Sequence, residues 1–100
     1  MNSLYETINF GHGFDRVVKA KATLDFPSAG AAATQALTVA VPGAALGDAV
    51  VLAPPSTLNA GLIPSAFVSA ADTVTIRVTN ITAVAIDAAS AVWGVLVFKI

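Results

Sequence analysis

From Lys19 onward the chain alternates. Lys19, Lys21, Thr23 and Asp25 take every second position, and Ala20, Ala22, Leu24 and Phe26 fill the others. Period two predicts a half-buried strand. Pro27 ends it, because proline has no N–H to give to a central ladder. Residues 29–33 form a small-residue linker around Gly30, too short to hold as a helix. Leu37, Val39 and Val41 mark a second strand, with Ala36, Thr38 and Ala40 on its other face. Pro42-Gly43 suits the central positions of a type II turn, and Gly47-Asp48 is a further turn signal. Residues 49–53 read as a short apolar strand stopped by Pro54-Pro55, and residues 62–69 as another, whose Pro64 demotes its start to an edge or a bulge.

The clearest alternation opens at Asp72. Val74, Ile76 and Val78 face in; Thr73, Thr75, Arg77 and Thr79 face out. A slip of one residue would carry Arg77 into the core, so the register is firmly set. Residues 80–82 read as a turn, 83–86 as a short strand and 87–90 as a turn. In the last strand, 91–100, both faces are apolar: Val92, Leu96, Phe98 and Ile100 on one, Trp93, Val95 and Val97 on the other. Such a strand is central to a core or covered by a partner. Six to seven short strands at regular turn spacing, with no convincing helix, predict an all-β fold. The expected architecture is an antiparallel β-sandwich of jelly-roll-like kind.

Residues 1–18 follow neither period. They hold Tyr5, Phe10 and Phe14, with Gly11 and Gly13 around His12. The reading is an extended N-terminal arm over 1–18 ahead of a sandwich domain over 19–100. Aromatic residues in an arm imply that it is tied down, on its own domain or on a neighbour.

Charge changes the picture most. From Phe26 to the C-terminus the formal charges are Asp48, Asp72, Arg77, Asp87 and Lys99. Charged residues make up 11% of the chain and hydrophobic ones 56%, against about a quarter charged in a usual soluble domain. A surface of Ala, Thr, Ser, Val and Gly suits an assembly better than a freely diffusing monomer. The expected partner is a further copy of the chain, with cyclic closure and three subunits. Net charge is −1, and the one basic cluster, Arg16, Lys19 and Lys21, is flanked by Asp15 and Asp25, so nucleic acid is not an expected partner. No stretch is long and apolar enough to cross a bilayer as a helix, and no membrane association is expected. The first residues, MNSLYETINF, have neither a basic nor an apolar signal region, so synthesis in a cytoplasm is expected.

Candidate chemistry is thin. There is no cysteine and one histidine, His12, held between glycines without a second histidine to join it at a metal. Asp25, Asp48, Asp72 and Asp87 sit at strand ends or turns, where Asp bonds nearby backbone. Gly11 and Gly13 lack the strand–loop–helix context of a phosphate loop, and Asn80-Ile81-Thr82 is a sequon without a secretory context. Trp93 lies in the most hydrophobic strand, as a core or interface residue before a sugar-stacking one. The chain therefore reads as a non-enzyme with no cofactor. Its site residues are contacts: Tyr5, Phe10, Phe14, Arg16 and Trp93, toward a sister subunit or a larger shell.

Several runs resemble small β-proteins of tailed bacteriophages. They are Ala22-Thr23-Leu24-Asp25-Phe26-Pro27-Ser28, Leu37-Thr38-Val39-Ala40-Val41-Pro42-Gly43-Ala44 and Gly47-Asp48-Ala49-Val50-Val51-Leu52. Phe67 to Arg77 and Ile86-Asp87-Ala88-Ala89-Ser90 follow the same pattern. The resemblance spans roughly residues 20–100 and rests on strand-and-turn motifs. It implies a virion structural protein: a capsid decoration (cement) protein bound to the major capsid protein on the head surface, often trimeric. The other member of the pair it implies is a head- or tail-fibre module that binds a host receptor or glycan. The Ala, Gly, Pro and Ser loops favour the cement reading.

Overall fold

The computed structural model describes residues 5–9 and 16–99, with residues 5–9 and Arg16 at the level of the backbone. Seven strands are formed among them: β1 (Tyr5–Asn9), β2 (Arg16–Leu24), β3 (Thr34–Ala40), β4 (Ala49–Ala53), β5 (Leu62–Ala70), β6 (Thr73–Asn80) and β7 (Ala91–Lys99). They make two antiparallel sheets, ordered β1-β2-β7-β4 and β3-β6-β5, packed face to face as a sandwich. The alternation in the sequence is the cause. Each sheet turns one apolar row inward: Val18, Ala20 and Leu24 with Trp93, Val95 and Val97 from the first, Val39 with Val74, Ile76 and Val78 from the second. Phe26 stands edge-on to Trp93, ring centroids 5.3 Å apart, and both are buried.

The winding follows one long ribbon. β2 pairs with β7 and β3 pairs with β6, so the segments before and after the middle of the chain run antiparallel along their length. The β2–β7 ladder closes at Leu24–Ala91 and returns at Ala29–Ile86, five residues further along each segment, so its register is kept across the gap. Pro27 lies in that gap and has no N–H to continue the ladder. At Ala29 and Ile86 both backbone bonds form, at 2.8 and 2.9 Å. The ribbon then passes from one sheet into the other, which is the jelly-roll manner of folding.

Two elements differ from the sequence reading. Residues 83–86 are not a strand; they form a loop with a single bridge at Ile86. Four apolar residues in a row do give an apparent strand there, but Asn80 holds the segment in a turn. Tyr5–Asn9, read as part of an arm without regular period, is the outermost strand, and β2 begins at Arg16. A five-residue strand on a sheet edge is set by backbone pairing and is too short to print a period. Three of the other expectations hold. The 49–53 strand has the expected ends, and β5 is an edge strand, as Pro64 requires. Val41 to Ala44 forms the expected turn, with a 3.0 Å bond and Gly43 at φ +98°.

Asn80 was read as a turn residue but continues the inward row of Val74, Ile76 and Val78 and is fully buried. Its Nδ2 donates to Ala29 O (3.0 Å) and Val84 O (2.7 Å), and its Oδ1 accepts from Thr82 N (2.8 Å) and Thr82 Oγ1 (2.7 Å). Its own N–H donates to Ala33 O at 2.9 Å. One side chain thereby joins β6 to both loops at the ribbon's corner.

Two outcomes follow for stability. Ile76→Val is expected to cost about 0.5–1.5 kcal/mol, and Ile76→Asp several, as an unpaired carboxylate in the core; Thr75→Asp on the outer face is expected to be milder than Ile76→Asp. Thermal melts rank the three, and a Thr75→Asp protein less stable than Ile76→Asp would mean that the outward face is the buried one. Asn80→Ala strips partners from Ala29 O, Val84 O and Thr82 together, and is expected to cost about 3 kcal/mol in urea denaturation. A loss below about 1 kcal/mol would show that water replaces the amide there.

Candidate functional site

The chemically distinct surfaces are the two outer faces of the sandwich and its two ends. On the first sheet, parity puts Val17, Lys19, Lys21 and Thr23 of β2 outward. Beside them stand Val92, Gly94, Leu96 and Phe98 of β7, then Ala49, Val51 and Ala53 of β4. Apart from the β2 lysines no charge stands on these rows. Val92 is 55% exposed and Val51 50% exposed. Val17, at the other end of the face, is buried yet is not part of the core cluster. Gly94 sits low between its neighbours, and a Cβ there would meet the Ala53 Cβ at 3.4 Å. A shallow depression lined by Lys21, Thr23 and Val92 opens beside it.

The outer face of the second sheet has another character. Thr34, Ala36, Thr38 and Ala40 of β3 lie beside Thr79, Arg77, Thr75 and Thr73 of β6, then Ile63, Ser65 and Phe67 of β5. Hydroxyls bond across strands, Thr34 to Thr79 at 2.9 Å and Thr75 to Ser69 at 2.7 Å. Arg77 holds its guanidinium 4.6 Å from the centre of the Phe67 ring. The two are diagonal neighbours, within reach for long and aromatic side chains.

One end of the sandwich is closed by loop 41–48. Lys99 Nζ donates to Gly43 O at 2.8 Å and pairs with Asp48 Oδ2 at 2.5 Å; both side chains are largely buried. Asp48 Oδ2 also accepts from Ala45 N. Asp72, at φ 61° in the β5–β6 turn, accepts from Gly43 N with its carboxylate, and its backbone bonds Val41 and Ala44. The other end is the Asn80 corner. Its loop presents Ile81 and Val84, 64% and 67% exposed, as apolar tips on a fixed backbone.

The residues proposed as contacts fare unequally. Trp93 is 2% exposed and packs on Phe26, so it is removed from the contact set: β7 is central to its sheet, and Trp93 is on its inward side. Tyr5 pairs with Ala20, and Arg16 with Asn9 and Lys99, along the backbone ladders. Phe10 and Phe14, like His12, lie outside the described residues. The sequon at Asn80 is closed to modification in the folded chain, since the amide is buried and donates two bonds. Among the described residues no three of His, Cys, Asp and Glu gather in one place. Sequence reasoning missed the Asn80 network, although the i+2 row pointed inward to it. It also missed the Arg77–Phe67 stack, which becomes visible only once the β5–β6 register is known.

Comparison with known protein families, with curated proteins and with solved structures finds no match to this chain.

The outer face of β7 and β4 gives a direct expectation. Val51→Lys and Val92→Lys replace half-exposed side chains, so each is expected to change stability by no more than about 0.5 kcal/mol. Each is also expected to raise the monomer fraction in sedimentation velocity. Association equal to that of the unmodified chain in both variants would exclude this face from self-contact.

Proposed function

We propose that the chain is a virion structural protein of a tailed bacteriophage. In this reading it is a capsid decoration (cement) protein that assembles as a trimer and binds the major capsid protein on the outside of the head. The observation that carries the reading is the uncharged run of outward positions on β7 and β4: Val92, Gly94, Leu96, Ala49, Val51 and Ala53. Free domains guard such faces, and the edge strands beside them, with charges or proline. β4 is an edge strand with neither. A shell offers many identical shallow sites, and a rigid sandwich with an apolar face and closed ends suits them. A protein that binds only the assembled shell stabilises it by linkage. Tyr5, Phe10, Phe14 and Arg16 serve in this reading as anchors to a sister subunit or to the shell.

The fibre or spike reading has the same fold and needs a different surface. A glycan or receptor site calls for exposed rings or polar groups on the loops. The described loops expose the aliphatic Leu46, Ile81 and Val84, which favours packing against protein.

The test is binding to heads assembled from the major capsid protein encoded beside this chain. Co-sedimentation at a fixed ratio to the capsid subunit, with a raised melting temperature of the heads, is the expected result. Heads that neither retain the protein nor gain stability would exclude the cement role.

A further inference from the structure

An edge strand offers a row of backbone N–H and C=O groups to any chain that comes alongside. The edges of this fold are not guarded alike. β1 carries the charge of Glu6, and β5 carries Pro64 and a bulge between Val68 and Ala70. β4 carries no charge, no proline and no bulge. Among the described residues, Ala49–Ala53 make no backbone–backbone bond outside the ladder with β7. The edge is open on its inner side as well. Val50 and Leu52 point inward yet are half-buried, whereas Val97 and Val95 beside them on β7 are buried.

The sequence of β4 selects what can pair there. Read from either end, the strand presents the same series: an outward alanine, an inward aliphatic, Val51, an inward aliphatic and an outward alanine. A two-fold axis through Val51 therefore sets Ala49 against Ala53, Val50 against Leu52 and Val51 against its twin. Every residue then meets one of similar size that points to the same side of the sheet. β3 is an uncharged edge too, but about its own centre it would set Gln35 against Val39, and Gln35 is already bonded to Ser28 O. The antiparallel sense that the two-fold imposes is also the sense of the ladders within the fold.

We propose that β4 is the strand at which two copies of this chain join: the two strands pair antiparallel about Val51, and the four-stranded sheets become one continuous sheet. This rests on the reading of the chain as a self-assembling structural protein. The contact is isologous and joins copies in twos, so it is not the one that closes a ring of three; acting together, the two contacts link neighbouring trimers. Backbone bonds along the junction supply register and direction to a surface with few charges to give them.

The experiment places charge on the axis. Val51 is 50% exposed, so thermal melts of Val51→Lys and Val51→Glu are expected to stay close to that of the unmodified chain. Each variant alone sets like charges directly opposite each other and is expected to weaken pairing at least about tenfold. Affinity-tagged Val51→Glu, at physiological salt, is expected to retain untagged Val51→Lys at least about tenfold better than untagged Val51→Glu. Thr38→Lys, exposed on the other sheet, carries the same added charge and is expected to be retained poorly. In the unmodified chain, alternate amides of residues 49–53 are expected to exchange hydrogen at least about tenfold more slowly once the chain associates. Retention of Val51→Lys no better than that of Thr38→Lys would overturn the meeting of Val51 with its twin and leave the assembly reading standing. Unchanged exchange of the 49–53 amides on association would mean that outer faces meet and edges do not, and would overturn the strand pairing. An unmodified chain that stays monomeric at every concentration reached would overturn both readings.

Discussion

Where the ribbon of β2–β3 and β6–β7 crosses from one sheet to the other, its ladder is reduced to the single Ala29–Ile86 bridge. Ala29 O, Val84 O and the Thr82 amide are the groups at issue, and the Asn80 side chain satisfies all three. An amide is suited to this place because it both donates and accepts. Aspartate at the same site would set a charge against two carbonyls, and leucine would leave the Thr82 amide without its acceptor and take one of two donors from each of Ala29 O and Val84 O. The rest of the fold depends on that corner. With it fixed, β3 lies over β2 and the inward rows of the two sheets meet. Without it, the Ala29–Ile86 bridge alone would resume the register beyond Pro27.

The opposite end is held by a different chemistry to the same effect. Lys99 grips loop 41–48 through Gly43 O and Asp48, while Asp72 holds the same loop from the other sheet. Gly43 is the residue both sides reach, one by its carbonyl and one by its amide, and its φ of +98° turns the two groups toward their partners. Breaking a largely buried pair such as Asp48–Lys99 strands a charge, so the pair fixes geometry whatever its net contribution to stability. Polar groups thus close both ends, and the faces are left to small apolar and hydroxyl side chains. That division explains how a chain with so few charges folds with no buried side-chain polar atom unsatisfied among the described residues.

What the sequence made legible was whatever depends on period. The inward row Val74, Ile76 and Val78 and the outward Thr75 and Arg77 are readable because a strand has two sides and no third choice. The Pro42-Gly43 turn and the edge position of the Pro64 strand are readable because proline and glycine restrict the backbone locally. The corner was not, because its meaning lies between residues distant in sequence: Asn80 and Ala29 are joined by a bond that no window along the chain contains. Residues 83–86 misled for the same reason, since their apolar composition suits a strand and a distant amide decides otherwise. Trp93 shows the limit of reading a two-faced strand. Composition says that both sides of β7 are apolar, and only the sheet order says which side is the core. The Arg77–Phe67 stack needed the β5–β6 register before the two could be seen as neighbours.

The distribution of charge connects fold to function in this molecule. Charges on a small domain ordinarily serve solubility, and several here serve the ends of the sandwich instead: Asp48, Asp72 and Lys99 are bonded to the 41–48 loop, to each other, or to both. Among the residues whose side chains are described, the charges on the strands of the outer faces are Lys19 and Lys21 on one and Arg77 on the other. A surface so thinly charged has little electrostatic repulsion to oppose close approach of another copy. Its outward apolar groups are alanine and valine with Ile63, Phe67 and Leu96 among them, and their burial contributes about 0.8 kcal/mol per methylene-sized step. Many small contacts over a wide flat area, oriented by one or two fixed charges, are what such a surface can supply. In the assembly proposed above, that combination would hold a subunit where several neighbours meet it at once, as in a closed ring or on a regular shell.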